Sequence, residues 1–256
     1  MNHLRKFELE NDYLQAKDSF VYPNVSYIVE KNLLYYMQKT KYDFVDLGLP
    51  SGLKWAAWNV GATKPEESGL YFAWGEDKGY VVTRGELQDE SQCLYTAVIT
   101  NADGTETTKT FAKDYSDYKH YEYDEPIKYN GTDGLTTLKT EDDGCYLTEK
   151  AMRMPTYDDC VELVENTTSA WTENYNDSGI NGLTLTSKTN GNSIFVPAVG
   201  AVNSGVLFSF GLLGGFWSSS LYSSVEGAFG FNFGSGYLGV GDVGRFGGLP
   251  LRAVRP

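Results

Sequence analysis

The sequence predicts an α+β fold with few helices, short antiparallel strands and long loops. Three observations carry this. The clearest helical stripe is a single segment, YDDCVELVENT, behind a good N-cap. Runs of β-prone residues such as GLTLTS and NSIFVPAV stand between turn residues. Long stretches rich in Asp, Thr, Tyr and Gly show weak periodicity. With 256 residues, 41% hydrophobic and 21% charged, the composition is ordinary for a soluble globular protein with ample core.

Along the chain, FELENDYLQAKDS (7–19) carries helix formers with Phe7, Tyr13 and Leu14 in helical spacing, and Pro23 stops the helix. The runs NVSYIV and LLYYM around Glu30-Lys31-Asn32 suit a hairpin, and KTKYD reads as a linker. Residues 1–40 therefore form an attachment region, and 44–256 a separate domain. That domain opens with DFVDLGLPSGLKWAAWNVGA: a strand, a turn at Pro50-Ser51-Gly52, and a second strand with Trp55 and Trp58. GLYFAWGE (69–76) adds a short aromatic strand, and residues 77–150 read as long loops with short strands. In the main helix Thr156 is the N-cap, and Asp158 and Asp159 favour its positive end. Cys160, Val161, Leu163 and Val164 supply the apolar stripe. GLTLTS (182–187), NSIFVPAV (192–199) and LPLRAV (249–254) are the later strands.

Charge and cysteine content narrow the function. A net charge of −13 repels phosphate backbones and anionic lipid, so nucleic-acid and membrane-surface roles are not expected. The charge is uneven: in Gly191–Pro256 only Glu226 and Asp242 face Arg245, Arg252 and Arg255, a net of +1. Cys93, Cys145 and Cys160 show no CxxC spacing and read as free core thiols. MNHLRKFELE lacks an apolar signal region, and no run of apolar residues is long enough to cross a bilayer.

Residues 201–256 hold thirteen of the 28 glycines. Isolated large side chains stand between them, among them Phe208, Phe210, Phe216, Tyr222, Phe229, Tyr237 and Phe246. Glycine leaves nothing to pack, so the segment reads as a binding face rather than a folding nucleus.

Several motifs, in order, carry a resemblance. VDLGLPSGLKWAAWNVGATKPEESGLYFAWGE, RMPTYDDCVEL, GNSIFVPAVG, FWSSS and LRAVRP resemble the Fibrobacter succinogenes major paralogous domain. That family is related to the formylglycine-generating-enzyme branch of the C-type-lectin fold, and the match spans about residues 44–256. Within this fold the chain is most similar to proteins diversified by diversity-generating retroelements of phages and gut bacteria. The resemblance implies a rigid lectin-like scaffold that displays randomised side chains from residues 201–256. Randomised asparagine codons cannot encode Lys, Met, Trp, Gln or Glu. The segment has no Lys, Met or Gln, a single Trp217 inside FWSSS, and a single Glu226. On this resemblance Phe208, Phe210, Leu213, Phe216, Tyr222, Val225, Tyr237, Asp242 and Phe246 are displayed, and Glu226 is a doubtful member of the set. Trp217, Ser218, Ser219, Ser220, Asn232, Phe233, Arg245, Gly248 and Arg252 are framework, with Arg245 and Arg252 paired to carboxylates. A displayed glycine would then tolerate Ala, and Gly248 would not. Residues 1–40 resemble leader regions of phage tail-associated proteins, which implies attachment to a virion; without that, the location is cytoplasmic.

The expected function is non-enzymatic binding of a variable protein or cell-surface ligand, with no cofactor. Formylglycine-generating relatives use reactive cysteines in the C-terminal part of the fold, and this chain has none after Cys160. His3 and His120 are the only histidines, and no Ser-His-Asp arrangement builds around them. The sugar-binding motifs EPN, QPD and WND are absent; Tyr175-Asn176-Asp177 is a faint echo. Glu141, Asp142 and Asp143, or the loop at Asp133, offer hard oxygens for a structural calcium, against the alternative of a solvated acidic turn. FGSG, GVGD and GRFGG lack the strand and helix that a phosphate cradle needs. Two other readings stay open: a fixed-sequence structural or cell-surface module of the same fold, and a formylglycine-generating-type oxidase.

Overall fold

The computed structural model describes residues 42–101, 104–107, 118–123 and 125–256. The helix and hairpin expected in residues 1–40 lie outside these. Among the described residues, two short helices, α1 (Gly144–Thr148) and α2 (Tyr157–Asn166), and two 3-10 turns accompany a fold that is otherwise antiparallel strand and loop. In α2 the Thr156 side chain accepts from Asp159 N and the Asp159 carboxylate accepts from Thr156 N, closing a capping box. Cys160 and Leu163 are its buried residues.

β1 (Phe44–Asp46) pairs with β2 (Lys54–Ala56) across the Pro50-Ser51-Gly52 turn, with Val45 opposite Trp55. Trp58 falls beyond β2 and is half-buried. β3 (Tyr71–Phe72) follows, then a hairpin of β4 (Val81–Asp89) and β5 (Leu94–Thr100), with β6 (Glu106–Thr107) against β5. At nine and seven residues, β4 and β5 are far from the short strands expected between 77 and 150. Most of β4 is exposed, so burial imposes no apolar alternation on it and the periodicity is missing. β7 (Tyr121–Glu122) and β8 (Glu125–Pro126) form a small ladder.

After α2 come β9 (Thr167–Thr172), β10 (Gly182–Ser187) and β11 (Ser193–Pro197), a three-stranded sheet ordered β11-β10-β9. β12 (Ala201–Asn203) and β13 (Val206–Phe208) then join β5. β14 (Leu213–Leu221), β15 (Gly227–Gly234) and β16 (Tyr237–Gly244) form the next sheet in chain order. Finally β17 (Leu249–Pro250) pairs with β3, and β18 (Val254–Arg255) pairs with the free side of β2.

The β14–β15–β16 sheet lies between two apolar clusters. Adjacent strand residues point to opposite faces, and Phe216 and Trp217 are both wholly buried, in different clusters. Phe216, Phe231 and Phe233 pack with Trp55, Leu163 and Leu185. Trp217 and Ala228 pack with Phe72, Trp74, Leu249 and Leu251. The segment read from composition as a face rather than a nucleus therefore supplies much of the core. The glycines allow it: a Cβ on Gly215 would overlap the Phe231 carbonyl oxygen, and one on Gly214 would reach 2.6 Å from the Pro197 carbonyl oxygen. At these positions small residues let strands and aromatic rings close up.

Candidate functional site

The scaffold residues FWSSS, Arg245 and Arg252 tie the segment to the rest of the domain. Trp217 Nε1 donates to the Phe72 carbonyl at 2.8 Å, and Trp74 Nε1 donates to the Ser218 carbonyl at 2.8 Å. Ser218 and Ser219 are buried, and Gly248 exchanges two backbone hydrogen bonds with Val202. Asn232 is half-buried, its Nδ2 donating to the Gly230 carbonyl at 3.0 Å.

Among the described residues neither arginine pairs with a carboxylate, contrary to the sequence expectation. Arg245 is fully buried among Trp74, Tyr118, Tyr121 and Tyr129, with its guanidinium 4.9–5.9 Å from the four ring centroids. It donates to the carbonyls of Lys128, Tyr129 and Val225 and to the Tyr118 hydroxyl. Arg252 donates to Asn59 Oδ1 and to the carbonyls of Ala56 and Phe195, and burial pushes its pKa down to about 9. Five N–H donors in a fixed fork suit carbonyl acceptors spread over separate strands.

The ten displayed candidates do not form one face. Phe216 is core: it is fully buried and stacked on Phe231 at 4.6 Å. Its assignment to the display set fails because both faces of β14 are covered at that point. Phe208 and Phe210 are half-buried beside the β4–β5 hairpin, where Phe210 lies 6.4 Å from Tyr95 and 4.6 Å below the Arg84 guanidinium. Phe246 packs against Ala73, Tyr118 and Tyr121. Val225 and Glu226 are tied through their carbonyls to Arg245, although the Glu226 side chain is exposed. Tyr222 meets Phe229 at 4.8 Å, and Phe229 meets Tyr157 at 4.3 Å. Asp242 is exposed, opposite Phe229 in the ladder.

Leu213 and Tyr237 are brought together. Register places Leu213, Gly234 and Tyr237 side by side across the three strands, with Leu213 37% and Tyr237 52% exposed. They line an open cleft of about 390 Å³ with Trp171, Glu173, Asn181 and Leu212. The glycines at 211, 234 and 236 form the rest of its wall with Ser235. Trp171 reaches the cleft from the end of β9, its ring 6.5 Å from that of Phe233. Beyond Tyr237, alternation puts Gly239 and Gly241 on the same face of β16, and a Cβ at either meets nothing within 4 Å. Trp171, Glu173, Leu212 and Tyr157 were missed by sequence reasoning. Glu173 and Trp171 lie far along the chain from the segment, and only the packing of two sheets brings them beside it.

Other chemically capable groups are engaged internally. Asp142 is buried and accepts from Lys119, Lys128 and Tyr129; burial alone would raise its pKa, but these donors hold it down at about 2. His120 donates to the Gly75 carbonyl at 3.1 Å, and burial lowers its pKa to about 4. Asp143 caps α1 and also accepts from Met154 N, while Asp133 accepts from the backbone of Tyr129 and Leu135. These carboxylates, weighed above for calcium, are directed at protein donors, and no metal-sized group of His, Cys, Asp and Glu occurs among the described residues. Burial pushes the Cys145 and Cys160 thiols well up. Among the described residues no helix is long and apolar enough to cross a membrane. No family model, curated protein or solved structure matches the chain.

Proposed function

We propose that the chain is a non-enzymatic ligand- or receptor-binding protein that presents interchangeable side chains from residues 201–256 on a C-type-lectin-like scaffold. One observation carries this: β16 is anchored yet open. Its partner strand β15 is anchored through its own Phe231 and Phe233, packed with Phe216 of β14, and Arg245 locks the end of β16 into an aromatic cage. Meanwhile Tyr237 is exposed, and Gly239 and Gly241 have room for larger side chains. A surface of that kind accepts new residues without repacking the core, which is what diversified recognition demands. The displayed set in this reading is Leu212, Leu213, Tyr237, Gly239 and Gly241, with Asp242 exposed on the opposite face of β16 and Tyr222 and Glu226 at the other end of the sheet. Phe216 is not among them. The buried thiols and the internal hydrogen bonds of His120 and Asp142 also favour binding over catalysis.

Sequencing the DNA around the gene tests the reading. The expected result is a near-copy of the segment, rich in asparagine codons, beside a reverse transcriptase gene. Isolates should differ at positions 213, 237, 239 and 241 while keeping Trp217, Arg245 and Arg252. Identical segments across many isolates would overturn diversification and favour a fixed module.

A further inference from the structure

The cleft beside Tyr237 joins one carboxylate to two aromatic rings. Among the residues lining it, Glu173 is the single charged one, and its carboxylate has no hydrogen bond or ion pair among the described residues. Asn181 is the one amide side chain, and it is already satisfied: its Nδ2 donates to the Gly211 carbonyl at 3.1 Å and its Oδ1 accepts from Asn174 N at 3.1 Å. Trp171 and Tyr237 add two aromatic rings, one half-buried and one exposed. The glycines at 211, 234 and 236 leave the wall low enough for a partner's main chain to come close.

The chain as a whole has the same sign. Residues 191–256 sum to +1, but two of their three cations are buried. Arg245 and Arg252 are fully buried, and Arg255 lies over the Phe44 ring at 4.1 Å. Glu226 and Asp242 are exposed toward the other end of the sheet, on a chain of net charge −13. The charge that a partner meets is therefore negative.

We propose that this cleft binds a cationic side chain, arginine or lysine, of a partner polypeptide. These side chains are donor-only, and a desolvated cation gains from both a carboxylate and aromatic faces. The volume is that of a small ligand site. A neutral sugar would leave the Glu173 charge uncompensated, whereas a cation pairs with it. The inference rests on the reading of residues 201–256 as a binding face and names the ligand chemistry for one part of it.

The test uses the full chain and three probes: N-acetyl-Gly-Arg-Gly-amide, its citrulline counterpart, and methyl glucoside. The readout is the Trp171 indole N–H resonance, assigned with Trp171→Phe. The arginine peptide should give a saturable shift with Kd on the order of millimolar, and the citrulline peptide should bind about tenfold more weakly. Glu173→Gln, an exposed substitution checked for an unchanged melting temperature, should weaken the arginine peptide by about tenfold, and added salt should do the same. Equal binding of citrulline, preference for methyl glucoside, or no saturable shift would overturn the proposal. Failure here with varied segments among isolates leaves the display reading standing. Cation binding with identical segments sinks display and keeps the cleft.

Discussion

Gly215→Ala and Gly241→Ala are the same chemical change in the two outer strands of one sheet, and the structure assigns them opposite signs. A methyl at Gly215 overlaps the Phe231 carbonyl oxygen and comes within 3.1 Å of Asn232 Oδ1. The obstacle is backbone in the middle of a ladder, so relief requires moving a strand, and overpacking of this kind costs about 1–3 kcal/mol. At Gly241 the new methyl meets nothing within 4 Å, and the backbone there is not left-handed. Its effect comes from the unfolded chain, which loses freedom, and should stabilise by about 0.4–1 kcal/mol. For a domain of this size about 1 kcal/mol moves the melting temperature by roughly 2–4 °C. Calorimetry should therefore show Gly215→Ala lowered by about 2–12 °C and Gly241→Ala unchanged or raised by up to about 4 °C. Equal losses would show that Gly241 is a backbone requirement, and the argument for interchangeable positions on β16 would collapse.

Other expectations follow from the buried groups. Phe216→Ala should destabilise by about 3–5 kcal/mol through loss of its stack on Phe231, seen as a lower midpoint in urea; a folded variant that only loses binding would return Phe216 to the display set. Arg252→Lys should cost about 2–4 kcal/mol by chemical denaturation, because an ammonium cannot reach Asn59, Ala56 and Phe195 at once. Acid should weaken the fold in two stages. His120 stays neutral down to about pH 4, while its unfolded counterpart takes a proton near 6.5, so stability present above 6.5 falls between those values by on the order of 3 kcal/mol. Asp142, held at about 2 against 3.8, adds a loss of about 2 kcal/mol below pH 4. In pH-dependent melting His120→Gln should flatten the upper stage alone, and an unchanged profile would refute the assignment.

The elements legible in the sequence were those whose determinants are local. Thr156 and Asp159 are three residues apart, and together with Cys160 and Leu163 they specify α2 without reference to the rest of the chain. GLTLTS coincides with β10 because five residues of the strand face well-defined partners on both sides. The segment 201–256 was harder for a physical reason. With both faces of β14 covered, Phe216 and Trp217 are equally buried, and a period-two pattern has nothing to report. Gly215 and Gly241 are indistinguishable as letters; they differ in which carbonyl stands across the strand. The cleft is less legible still, since Trp171 and Glu173 reach it from another sheet. The arginines were read as framework, but most of their partners are backbone carbonyls, which every residue possesses and no motif records.

The Arg245 cage bears on how this chain can evolve. The β15–β16 ladder runs without interruption from Gly227–Gly244 to Gly234–Tyr237, and Arg245 follows it directly into the cage. One residue added or removed within either strand would turn the outward positions inward and draw the guanidinium away from its rings. Lettering along β16 is thus free to change while its length is not. Only the hairpin tip at Ser235 and Gly236, outside the ladder, leaves space for insertions.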